Sequence, residues 1–187
     1  MSVSISAKEV NELRQKTGSG MMDCKKALVE AGGDFDKAID ILRKKGQKVS
    51  EARSGRETSE GVVLYKIDQS EAKASMLSFT CETDFVAKNE DFISFVKELS
   101  EINNKCESDL EKIKKYKMVN SKTVDENLVE IISKIGEKIT IGRSKTFSNS
   151  SNVNFNYSHS IVKDNLSKLA VIVSLETKER SEKISSF

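Results

Sequence analysis

The sequence predicts an α+β protein, and three patterns in it carry that expectation. Residues 6–46 repeat apolar side chains every three or four positions between glycine stops, which reads as three short helices. Before residue 81 the pattern alternates instead: Leu77, Phe79 and Cys81 take turns with Met76, Ser78 and Thr80, the period of a strand with one buried face. After it the helical period returns, with Val86, Phe92, Val96, Leu99 and Ile102 on one stripe. The expected fold is a small three-helix amino-terminal domain followed by an antiparallel sheet core covered by helices.

Composition narrows the function classes. The chain has 187 residues, enough for one ordinary domain or two small ones. Its 31 basic and 29 acidic residues leave a net charge of +2, so there is no basic footprint for neutralising phosphates. Aromatic residues are 6% with no Trp, which leaves no stacking platform for bases, and direct nucleic-acid binding is not expected. Cys24, Cys81 and Cys106 are odd in number, far apart and not at metal-ligand spacing; they read as free thiols of a reducing compartment, with no metal site and no cofactor. No run of 18 apolar residues exists, so no membrane contact is expected. The amino terminus has no signal or transit pattern. The expected location is the cytoplasm, and a trimmed organellar form would have the same signature.

The first helix opens at Ser6, which has capping-box spacing to Glu9 with Ile5 and Val10 as the staple around it. Leu13 continues its apolar face and Gly18 stops it. A second helix buries Cys24, Ala27, Leu28 and Ala31, and ends at Gly32-Gly33. Asp34 caps a third, with Phe35, Ala38, Ile39 and Leu42 inward and Gly46 expected to terminate it. Three helices of this size enclose a small core, which suits a docking module. Gly18-Ser19-Gly20 ahead of Lys25 imitates a phosphate loop, but neither the Gly-Lys-Ser/Thr ending nor a preceding strand is there. Met21-Met22 at a helix start is either core or an adaptable binding surface of two flexible thioethers.

Residues 47–60 are polar with Val49 alone as a sizeable apolar side chain, and read as a linker, partly helical. A strand from Gly61 to Ile67, a turn at Asp68-Gln69-Ser70 and the strand ending at Cys81 form a hairpin. Thr83 or Asp84 then caps the following helix. Phe85 has two readings there: it packs into its own core, or it is a rigid ring presented outwards beside an acid as a wedge for a partner. Residues 103–121, rich in Lys, Glu and Asn with Leu110, Ile113 and Met118 sparse among them, read as a solvated surface helix or excursion. A helix over about 125–138 carries Leu128, Ile131, Ile132 and Ile135, a strand begins at Ile139, and 148–154 is a Ser/Asn loop. Two strand-like runs, 155–162 and 168–175, flank a turn at Lys163-Asp164-Asn165. His159, taken alone, reads as a structural or incidental histidine near a strand end.

Two stretches resemble a known family. Cys81-Glu82 followed by Thr83-Asp84-Phe85-Val86 and Ala87-Lys88-Asn89 is similar to a signature of the elongation factor Ts family, guanine-nucleotide exchange factors for elongation factor Tu. Arg14 with Thr17-Gly18-Ser19-Gly20-Met21-Met22-Asp23-Cys24-Lys25-Lys26-Ala27-Leu28 resembles the same family's amino-terminal signature. Lys134 to Ile139 resembles its helix-to-strand junction, although Gly142-Arg143 keeps one of the two arginines often found there.

The resemblance implies a ubiquitin-associated-like (UBA-like) three-helix domain over 1–46, a linker over 47–60, a first core subdomain over 61–147, and over 148–187 the start of an incomplete second core subdomain lacking the carboxy-terminal part. It implies a non-enzymatic role in translation elongation: Thr83, Asp84, Phe85 and Val86 disturb the Mg²⁺ and nucleotide site of elongation factor Tu and promote GDP release. Arg14, Met21, Met22 and His159 then serve docking, the histidine through the family's Tyr-x-His pattern, here Tyr157 and His159. No small-molecule substrate is expected. Two rival readings stand beside it: a non-catalytic interaction module whose helices bind a partner helix, and an enzyme with Cys81 as nucleophile and His159 as base, which no second histidine, metal cluster or nucleotide loop supports.

Overall fold

The computed structural model describes residues 4–176. In chain order the elements are α1 (Ala7–Thr17), α2 (Met21–Glu30), α3 (Phe35–Arg53), β1 (Glu60–Ile67), β2 (Lys73–Cys81) and α4 (Asp84–Ala87). They continue with α5 (Glu90–Lys105), α6 (Leu110–Lys115), α7 (Val124–Ile135), β3 (Ile139–Ser148), β4 (Asn152–Lys163) and β5 (Leu166–Glu176). The architecture is α+β, with two compact units: the residues up to Arg56 together with Glu126–Lys138, and Glu57–Asp125 together with the residues from Ile139 onward. The expected second subdomain, 148–187, lies partly outside the described residues.

In the first unit, the Ser6 capping box forms in full, and its two hydrogen bonds hold the Glu9 carboxyl below the usual carboxylate range. Gly18 closes α1 in the left-handed region at φ 68°, its N–H donating to the Arg14 carbonyl at 2.8 Å. Val10, Leu13, Cys24, Ala27, Leu28, Ala38 and Leu42 make the core, with Ile5, Ala31, Phe35, Ile39 and Ile41 at its margin.

Gly46 does not end the third helix; α3 runs through it to Arg53. The flanking Arg, Lys and Gln residues are good helix formers and offset the cost of about 1 kcal/mol for one interior glycine. Packing explains the residue type, because a Cβ at Gly46 would stand 3.2 Å from the Ser133 Cβ of α7. Beyond α3, the Lys138 ammonium donates to the carbonyls of Ser54 at 2.6 Å and Arg56 at 2.8 Å.

The second unit is built on an antiparallel sheet of order β3-β2-β1-β5-β4. The alternation read in β2 holds: Leu77, Phe79 and Cys81 are buried. The stripe of α5 lies among them, with Phe79 and Phe92 edge to face at 6.2 Å. Gly61 of β1 is required by close approach, since a Cβ there would fall 2.0 Å from the Phe79 carbonyl oxygen.

Three further expectations change. The helix read from Val86 onward is two helices, broken at Lys88-Asn89. The longer one is capped by Asn89, whose side-chain oxygen accepts from the N–H groups of Asp91 and Phe92, and not by Thr83 or Asp84. Residues 103–121 do carry a short helix, α6, but the stretch is not merely solvated, because its sparse apolar side chains Ile113 and Met118 are buried. The expected loop over 148–154 shrinks to a turn, and β4 starts at Asn152 with Val153 and Asn154 buried.

Candidate partner-binding site

Between the end of β2 and the start of α5, the chain makes one helical turn, α4. The buried Cys81 thiol donates to the Thr83 carbonyl at 3.2 Å, which fixes the exit from the strand. Thr83 takes the N-cap position in extended backbone without a side-chain capping bond. The Lys88 N–H donates to the Phe85 carbonyl at 3.2 Å and the Asn89 N–H to the Val86 carbonyl at 2.9 Å, closing the turn. Val86 is 2% exposed and Ala87 is fully buried, whereas Phe85, next to them, is 80% exposed. Two buried neighbours thus anchor the turn and the ring projects from it. Of the two readings of Phe85, packing into its own core is excluded.

Charged residues flank Phe85 in the turn. The Lys88 ammonium lies 2.7 Å from the Asp84 carboxylate, one turn away. That hydrogen bond, then the ammonium's charge, hold the Asp84 carboxyl below the usual carboxylate range, with the charge of Lys168 adding to the effect. The same bond pushes the Lys88 ammonium up. Lys168, on β5, is ion-paired with Glu60 at the start of β1. Sequence reasoning missed this cluster. The Asp84-to-Lys88 spacing was a legible i,i+4 pair, but Glu60 and Lys168 meet only through the β1–β5 pairing, which no local pattern announces.

The other candidate residues occupy separate places. Arg14 is exposed on α1 in the first unit. Met21 and Met22 are 46% and 63% exposed at the start of α2, so they are not core; Val29 on the same helix is also exposed. His159 is exposed on β4, stacked against Tyr157 with 6.4 Å between ring centroids and a 3.3 Å contact from the Tyr157 Oη to its Nδ1. It pairs across the hairpin with Leu169, so by strand alternation it faces away from the side that carries Lys168. The nucleophile-and-base reading finds no support in this geometry: Cys81 is buried with its thiol directed at Thr83. Among the described residues no group of three or more His, Cys, Asp or Glu side chains is arranged to hold a metal ion, and no helix is long and apolar enough to cross a membrane.

Comparison with known proteins follows the same residues. A family model described as "Elongation factor TS" matches residues 82–186, beginning at the turn just described. An elongation factor Ts of Christiangramia forsetii is 50% identical over 143 residues, covering 76% of this chain and 51% of the relative. One of Rickettsia massiliae is 40% identical over 180 residues, covering 96% and 57%, and one of Clostridium kluyveri is 44% identical over 181 residues, covering 95% and 58%. The chain thus spans just over half the length of these curated relatives. With the family model matching more than half of its residues, the chain belongs to the elongation factor Ts family.

Proposed function

We propose that this chain acts in translation elongation as a guanine-nucleotide exchange factor for elongation factor Tu, working in the cytoplasm or a comparable translating compartment and performing no covalent chemistry of its own. The observation that carries the reading is the 80% exposure of Phe85 on a turn whose next two residues are buried. A large apolar ring held outwards by a fixed backbone, beside an ionised carboxylate, is built to enter a partner. Thr83 to Val86 form the wedge. Arg14, Met21, Met22 and His159 supply docking contacts, with residues 1–46 as a UBA-like docking domain, 61–147 as the first core subdomain and 148–187 as the opening part of a second.

The physical mechanism is differential binding. The chain prefers the nucleotide-free state of its partner, so it weakens nucleotide by the same factor by which nucleotide weakens it. Mg²⁺ tolerates little departure from octahedral geometry and bridges phosphate oxygens to protein, so a small displacement of its surroundings by Phe85 and Asp84 loosens GDP. The test is release of a fluorescent GDP analogue from elongation factor Tu on adding the purified chain. Acceleration that rises with chain concentration and saturates is expected. Binding without acceleration would favour the second reading, a non-exchanging interaction module, for which the exposed Met21, Met22 and Val29 on α2 speak.

A further inference from the structure

The geometry points to Lys88 as a positioning residue that holds the Asp84 carboxylate and, through the single turn between them, sets the direction of the Phe85 ring; this deepens the exchange reading and rests on it for its consequence. A one-turn helix has almost no stability of its own, because nucleation fixes several dihedrals for very few hydrogen bonds. In α4, Val86 and Ala87 are anchored from below by burial. The outer side carries Phe85, which gains little from the core, and the ring's direction therefore depends on how firmly the turn is closed.

Lys88 and Asp84 close it lengthwise. Asp84 is the first helical residue and Lys88 the C-cap, with 2.7 Å between ammonium and carboxylate. The carboxylate sits at the end where N–H groups point outwards and the ammonium at the end where carbonyls do, so both charges also favour the turn's own dipole. The Lys168 and Glu60 pair continues the alternation of sign around the corner: Lys168 favours the ionised form of Asp84, and Glu60 the charged form of Lys88. Asp84 is in this way held in place before any partner arrives, which lowers the ordering cost of presenting it together with the ring.

Three measurements on Lys88→Ala and Lys88→Arg test this. In the free chain, the Asp84 carboxyl followed by NMR is expected to titrate at higher pH in Lys88→Ala and to return below the usual range in Lys88→Arg. Backbone relaxation at Phe85 is expected to show a looser turn in the alanine variant only. With elongation factor Tu, Lys88→Ala is expected to slow stimulated release by about two- to fivefold, the scale of an exposed ion pair. Arginine should restore it, and the wild-type advantage should fade in molar salt as the pair is screened. An unchanged Asp84 titration and an unchanged Phe85 turn in Lys88→Ala would overturn the inference. So would wild-type release rates with that variant. A wild-type chain that fails to stimulate release would instead overturn the exchange reading, while the free-chain titration and relaxation still decide what Lys88 does.

Discussion

Phe85 and Val86 are neighbours with opposite surroundings, one projecting into solvent and the other sealed beneath the turn. The difference follows from helical geometry within α4: Val86 and Ala87 face inwards, and Phe85, one position before Val86, points about 100° away from it. Pattern alone left Phe85 undecided, because an aromatic beside a core stripe is core in most proteins; the backbone closing over Val86 and Ala87 decides it. Val86→Ala is expected to cost about 1–3 kcal/mol of folding stability by removing buried methyl groups. Urea denaturation is the check, and no change in midpoint would mean that the turn is not anchored as described. The charges around the ring were half legible: Lys88 stands at helical spacing from Asp84, whereas Lys168 is brought up by a strand far along the chain.

At the scale of elements, the sequence marked the helices and strands well and their ends less well. Ser6 and Asp34 cap where their spacing says, Asp34 accepting from the Lys37 N–H at 3.1 Å. Gly46 failed as a stop signal because a glycine also serves where another helix crosses closely, and Ser133 does so. The break between α4 and α5 did have a signal in Asn89, a good N-cap residue followed by the acidic pair Glu90 and Asp91, masked by an apolar stripe that continues across it. Asn89→Ala is expected to cost about 0.5–2 kcal/mol by leaving the Asp91 and Phe92 N–H groups without their acceptor. Thermal unfolding followed by circular dichroism reads that directly, and an Asn89→Asp variant should retain most of the stability.

Over the whole molecule, what the sequence could not say was which face of the last hairpin is covered. Leu169, Val171, Val173 and Leu175 alternate as a buried strand face would, yet each is 43–50% exposed. Asn154 is buried instead, its side-chain amide donating to the Glu71 carbonyl at 2.6 Å. Period-2 alternation identifies two faces and not their neighbours. The proposed exchange function likewise rests on relations between distant parts: a corner made by β2, α4, β1 and β5 together, carrying a ring that the fold itself does not need. That last clause is the central claim, and one paired measurement on Phe85→Ala tests it most directly. The melting temperature is expected to stay close to that of the unchanged chain, while stimulated GDP release from elongation factor Tu falls by an amount worth at least about 2 kcal/mol, as for a hot-spot aromatic. A large drop in melting temperature, of the size that goes with losing about 3–5 kcal/mol of buried ring, would contradict it, as would unaltered release.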